Sequence, residues 1–294
     1  MDQQTVEVSD FQFRALRRVR LFPPGTFQAT GTTVPRWLAT SSGLGLTVVA
    51  TPSGELISFN TADVHNLLPG RTNLSVEVTD LPKKITPFRL SRQSAAASIS
   101  LIDGSSDGKT LAIVATKPST GDPFVFLYDF RLFSLQYTGE VYPYLEIRLS
   151  SSGGATATDL QWNPAIGNMF CASCSDGTLT TFTIDETDAT KYSVVGTLRI
   201  TDGSPLCISW SPKGKQLVVG LDNGIMKQLK PELAPVRQVP APAGSVVRLP
   251  NDDVRCAGLC WLTTTEFAVA YAQKNTQAVV LTLLTVKKDG APVW

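Results

Sequence analysis

Residues 159–184 read DLQWNPAIGNMFCASCSDGTLTTFTI, and the chain writes this unit twice more: CISWSPKGKQLVVGLDNGIMKQL at 207–229 and CAGLCWLTTTEFAVAYAQKNTQAVVLTLL at 256–284. Trp162, Trp210 and Trp261 anchor the three copies at spacings of 48 and 51 residues. That period is close to the length of one four-stranded propeller blade. In the first copy the residues predict strands at 157–162, 169–173 and 179–184, with Asp176-Gly177 supplying the positive φ of a tight turn. The second copy predicts strands at 206–210, 216–220 and 225–229, with Asp222-Asn223-Gly224 at the matching turn. The turn glycine follows the tryptophan by 15 residues in one copy and 14 in the other, so spacing and chemistry agree.

Working outward, two weaker units precede these. Residues 37–60 carry LATSSGLGLTVVATPSGELISFN with a Ser53-Gly54 turn, and residues 95–133 carry ASISLIDGSSDGKTLAIVAT followed by PFVFLYDFRLF. The expected fold is therefore all-β, a WD-repeat-like β-propeller with about five blades present, forming one domain over residues 1–294. The segments 67–92 and 231–251, rich in Pro, Gly, Lys and Arg, read as outer strands with long surface loops. No stretch has sustained helical periodicity. Residues 10–22, DFQFRALRRVRLF, alternate with a phase change near Leu16 and read as a bulged strand that opens the propeller.

Five blades of this size seldom close a ring. If a blade interface buries on the order of 500 Å² of apolar surface, an open end forgoes roughly 12 kcal/mol. The chain is accordingly expected to be the N-terminal part of a larger propeller, incomplete at its C-terminus.

The totals exclude several functions. With 294 residues and 43% hydrophobic content, the chain can bury a large core. Twenty-six Lys and Arg against 25 Asp and Glu leave a net charge of +1, which gives no long-range field toward nucleic acid or acidic membrane. MDQQTVEVSDFQF lacks the basic and apolar regions of a signal peptide, and no apolar run of 18 residues occurs, so neither secretion nor membrane insertion is expected. Five cysteines, Cys171, Cys174, Cys207, Cys256 and Cys260, lie in apolar runs and read as free thiols packed as small hydrophobes in a reducing compartment. Cys171-Ala-Ser-Cys174 lacks a second ligand pair, so no metal site is expected.

Catalysis finds no constellation. A hydrolytic triad needs a histidine with partners, and the one histidine, His65, reads as a loop residue without them. SPKGKQL at 211–217 has lysines but no phosphate-cradling glycine loop; Lys213-Gly214-Lys215 reads as a hairpin turn, and Asp252-Asp253 as a solvated turn. The expectation is no enzyme and no cofactor, but an interaction platform built from loops on a rigid ring. Candidate partner-binding residues are the basic ones: Arg14, Arg17, Arg18 and Arg20 in the opening strand, Lys83, Lys84, Arg89 and Arg92 in KKITPFRLSR, and Lys213 and Lys215. For the opening arginines, protection of a strand edge is the competing reading, and for single lysines it is solubility. Single-stranded RNA binding through the arginines with Phe11 and Phe13 is a third, disfavoured by the near-zero net charge.

The segments DFQFRALRRVRLF, WNPAIGNMFCASCSDGTL and WSPKGKQLVVGLDNG together resemble the N-terminal β-propellers of the CAN family, the two-hundred-and-fourteen-kilodalton nucleoporins of the cytoplasmic pore filaments. The likeness runs from about Asp10 to the end of the chain. It implies a seven-bladed propeller at the cytoplasmic face of the nuclear pore complex, working with other nucleoporins and docking a DEAD-box RNA helicase in messenger RNA export. The basic loop credited with the helicase contact in that family has no counterpart among these residues. A WD-type scaffold of another intracellular complex is the alternative.

Overall fold

Each tryptophan-anchored unit folds back on itself into one antiparallel sheet. The computed structural model describes residues 18–20, 22, 36–51, 54–66, 75–77, 83–86, 98–249, 253–273, 278–287 and 291–294. After β1 (Arg18–Arg20) the first sheet comprises β2 (Leu38–Ser41), β3 (Leu46–Ala50) and β4 (Leu56–Asn60); a short helix α1 (Thr61–Asn66) and β5 (Ser75–Glu77) precede its outer strand β6 (Lys84–Thr86). The second sheet is β7 (Ser98–Gly104), β8 (Thr110–Thr116), β9 (Pro123–Asp129) and β10 (Leu145–Arg148). The third is β11 (Ala157–Trp162), β12 (Met169–Cys174), β13 (Thr178–Ile184) and β14 (Tyr192–Arg199), and the fourth β15 (Pro205–Trp210), β16 (Leu217–Leu221), β17 (Met226–Leu229) and β18 (Pro235–Val239). The fifth has three strands among the described residues: β19 (Val254–Trp261), β20 (Glu266–Gln273) and β21 (Val279–Thr285).

The sequence explains these elements. LTVVA in β3 and LVVGL in β16 are buried at every position, as central strands packed on both faces must be. Trp162, Trp210 and Trp261 each end the first strand of a sheet and pair with the apolar residue that opens or nearly opens the second, Phe170, Leu217 and Phe267. In the third sheet a row of rings, Trp162, Phe170, Phe182 and Tyr192, runs from inner to outer strand with centroids 5.1, 5.1 and 5.9 Å apart. Such ring pairs add to their area burial, which is why the repeat is written around an aromatic anchor.

The sheets stack in sequence order, β7 on β2, β11 on β7, β15 on β11 and β19 on β15. Side chains of one first strand hold backbone N–H groups of the next. Asp103 accepts from Trp162 N, Asp159 Oδ2 from Ile208 N at 2.7 Å, and Ser209 Oγ from Trp261 N at 2.9 Å. Trp210 Nε1 donates back to the Gln161 carbonyl at 3.0 Å. Four apolar clusters among the described residues fill the spaces between sheets, with Trp162, Trp210 and Trp261 in three of them, and the largest fully buried side chains of the chain include Tyr128, Tyr271, Phe59, Phe126, Phe130, Phe133 and Phe170.

Several expectations change. Arg18–Arg20 pairs in parallel with Ser75–Glu77 as a two-stranded sheet of its own and does not open a blade; residues 10–17 and 21 lie outside the described residues. His65 lies in α1, not in a loop. Cys171, Cys174, Cys207 and Cys256 are buried, but Cys260 is exposed. A β-bulge between Cys256 and Gly258 shifts the phase of β19 and turns Cys260 to the outer face of the fifth sheet.

A candidate docking surface

The turns joining first and second strands meet at one end of the stack. Ser41 Oγ donates to the Gly108 carbonyl at 2.7 Å, joining the first sheet's turn to the second's. Gly167, in the third sheet's turn, has no room for a Cβ against Asp107 of the second without a shift of that side chain. Asn163 is fully buried and ties the third turn to the fourth: Nδ2 donates to the Gly214 carbonyl at 2.9 Å, while Oδ1 accepts from Ala165 N and Ile166 N at 2.9 and 3.0 Å. Gly214 has φ +66°, and a Cβ there would fall on Asn163 Oδ1. Only glycine fits, so the turn is held in one shape.

That turn presents Lys213 and Lys215, both exposed, on either side of the buried Gly214. Lys83 immediately precedes β6 and the backbone of Lys84 opens it, the start of that strand running toward the same end. Lys84 pairs with Ser58 in the first sheet, and Thr61 N, just beyond that strand, bonds the Gly45 carbonyl in the first turn. Lys83 Nζ stands 5.0 Å over the Phe22 ring, a cation–π contact that seats the end of the opening segment against the second basic stretch. The second and third sheets lie between these two pairs of lysines.

Sequence reasoning missed the cations in that gap. Lys109, Arg131 and Lys191 are exposed at this end, and each has its own carboxylate: Lys109 with Asp107 at 3.7 Å, Arg131 with Asp129 at 2.5 Å, Lys191 with Asp188 at 2.9 Å. Bonds from the Arg131 side chain, opposed by burial and helped by its backbone N–H, hold the Asp129 carboxyl below the ordinary range. These pairs cancel locally, whereas Lys213 and Lys215 form no ion pair among the described residues. Arg14, Arg17, Arg89 and Arg92 lie outside the described residues; Arg18 and Arg20 are placed in β1 by their backbone.

A cavity of about 720 Å³ opens at this end between the first two sheets, lined by Ser41, Leu44, Asp107, Lys109, Arg131 and Tyr144 among others. The Tyr144 hydroxyl is 2.9 Å from Thr110 Oγ1, and burial pushes its pKa up. The cavity's charges are the compensated pairs, so it offers shape without net charge. Among the described residues no group of three or more His, Cys, Asp or Glu could hold a metal ion. No helix among them is long and apolar enough to cross a membrane.

Deeper inside, Arg36 Nη2 reaches from before the first sheet to Asp159 Oδ1 at 2.6 Å and to the Leu160 carbonyl. Burial pushes Asp103 up to about 6; Arg36 opposes this, Asp159 adds to it, and N–H bonds from Trp162 and Gly104 oppose it. Burial likewise raises Asp159, against Arg36 and the N–H bonds of Ile208 and Leu160. These groups are committed to holding sheets together. A buried acid inside ATDLQW was the only sequence signal for them.

The NUP159/214 β-propeller family model matches residues 36–282. The chain is 33% identical over 291 residues to nuclear pore complex protein 14 of Caenorhabditis elegans, covering 98% of this chain and 20% of that protein. It is 29% identical over 296 residues to nuclear pore complex protein Nup214 of Homo sapiens, covering 97% and 13%. The chain thus spans a fifth or less of these relatives. Among solved structures, the WD40 domain of Toxoplasma gondii coronin superposes with a TM-score of 0.60 at 17% identity, over 94% of this chain and 60% of that one. That likeness carries the propeller architecture alone.

Proposed function

The chain belongs to the NUP159/214 β-propeller family, and from that premise we propose that it is the docking propeller of a nuclear pore protein, binding partners and transforming none. Its place is the cytoplasmic face of the pore, and its partner an acidic surface of a DEAD-box RNA helicase acting in messenger RNA export, with other nucleoporins as neighbours. The observation that carries the reading is the turn at 211–216: two exposed lysines with no carboxylate partner among the described residues, on a loop held rigid from the neighbouring sheet. Preorganised cations of this kind steer association and set orientation, although an exposed pair contributes at most about 1 kcal/mol. Lys83 and Lys84 form the second contact of the same end.

Titrating the protein with the helicase at low and high salt tests this. Affinity falls severalfold as salt rises, and Lys213→Ala with Lys215→Ala weakens low-salt binding while flattening the salt dependence. Salt-independent binding, or a double variant that binds like the parent, contradicts it.

We also infer that the fifth sheet's outer face is an interface covered by a further sheet of the same build. Counting from the tryptophan anchors, Leu281 takes the place of Met226: Leu281 pairs with Ala270 and Ala270 with Gly258, three before Trp261, as Met226 pairs with Gly220 and Gly220 with Cys207, three before Trp210. Met226 is 0% exposed beneath the fifth sheet; Leu281 is 75% exposed, with Val279 and Leu283 beside it. A whole apolar sheet face in water is costly and marks a contact surface.

A further inference from the structure

Two thiols meet in the core between the fourth and fifth sheets. Cys207 lies on β15 and Cys256 on β19, their sulfurs are 3.7 Å apart, and the Cys207 thiol also points at the Cys256 carbonyl, 3.4 Å away. Both are free. The space they share is made by Gly220 on the neighbouring strand: a Cβ there would stand 2.3 Å from Cys256 Sγ and 2.7 Å from Cys207 Sγ. Cys171 and Cys174 are also buried but have no thiol contact of this kind.

We propose that Cys207 and Cys256 form a redox modification site, in which hydrogen peroxide converts the pair into a disulfide that locks the fifth sheet onto the fourth. The sulfurs lie in van der Waals contact and need to close to about 2.05 Å, within reach of side-chain rotation on two strands already packed together. Cys207, the less completely buried of the two, is the attacking sulfur. Its sulfur takes the distal peroxide oxygen, the O–O bond breaks, and the thiol proton leaves with the other oxygen as water, giving a sulfenic acid. Cys256 sulfur then attacks the sulfenic sulfur; the S–O bond breaks, and the hydroxide leaves with the Cys256 proton as a second water. Two thiols and one hydrogen peroxide become one disulfide and two waters, two electrons passing from sulfur to peroxide.

The surroundings set the conditions. The contact with Cys256, then burial, keeps Cys207 protonated well above its ordinary range, and the thiolate is the reactive form. Reaction therefore accompanies transient separation of the two sheets. Closed, the pair is inert; once opened and oxidised, the interface cannot reopen without a reductant.

The test uses the full chain carrying Cys260→Ser, which removes the exposed thiol, treated with hydrogen peroxide, alkylated under denaturing conditions and digested for mass spectrometry. Accessible thiols fall from four to two, a peptide joining residues 207 and 256 appears in a protein of monomeric mass, and dithiothreitol restores all four. Low urea speeds the reaction. In Cys256→Ser the same treatment gives no crosslink and leaves Cys207 as a sulfenic or sulfinic acid. Four thiols persisting after peroxide in low urea, or linkage through Cys171 or Cys174 instead, overturns the proposal.

Discussion

Asp103 shows how a single buried charge is held by this fold. It sits on the first strand of the second sheet, accepts N–H bonds from Trp162 and Gly104, and has its pKa pushed by burial to about 6. Because the folded value lies above the unfolded one near 3.8, the native state holds its proton over a range where the unfolded chain has released it. Stability from this group is therefore greatest below the unfolded value and is lost as pH rises through about 6. Asp103→Asn keeps an accepting oxygen and removes the charge. The variant is expected to be more stable near neutral pH by on the order of 2 kcal/mol and to lose the decline between about pH 4 and 7. Urea unfolding at stepped pH measures both, and an unchanged slope would refute the assignment. Asp176 has the opposite sign. Burial raises it, but bonds from Ser150, Thr178 and Ser152 win and bring it to about 2, so its contribution is present above the unfolded value and lost in strong acid. The environment of Asp103 was not legible in the sequence, because its burial comes from packed sheets and Arg36 and Asp159, which modify it, stand 123 residues apart.

At the scale of the element, β21 carries two opposed faces seven residues long. Leu284 is fully buried against the fourth sheet, while Leu281 on the same strand is largely in solvent. Leu284→Ala is expected to cost about 2–5 kcal/mol, whereas Leu281→Asp leaves the melting temperature of this chain within a degree or two. In a longer protein where a further sheet covers the face, Leu281→Asp becomes as damaging as the core change. Equal effects of Leu281→Asp in both settings would remove that inferred interface. The strands of the third and fourth sheets were readable to within a residue because a tryptophan closes the first strand and a glycine at positive φ, Gly177 or Gly224, marks the second turn. The outer strands β6 and β18 fall in segments 67–92 and 231–251, which read as outer strands, but the fourth strands of the second and third sheets were not located. Tyr192–Arg199 is half exposed with no clean alternation, and Leu145–Arg148 has four residues, too few for a period to show. Tertiary pairing decides such outer strands, not local pattern.

For the whole molecule, stacked sheets hold a set of turns at one end in fixed relation. Which basic residues count there depends on which are already neutralised: Asp107, Asp129 and Asp188 take up Lys109, Arg131 and Lys191, while Lys213 and Lys215 form no ion pair among the described residues. Sequence reading found the lysines from their turn but passed over the compensation around them, although each carboxylate lies two or three residues from its cation. Hydrogen exchange of the protein with and without the helicase, at low salt, measures the central claim most directly. The account predicts protection on binding at residues 211–216 and 83–86, with the core strands β8, β12 and β16 unchanged. Helicase bound with both segments exchanging as in the free protein, or protection confined to the opposite end of the sheets, would contradict it.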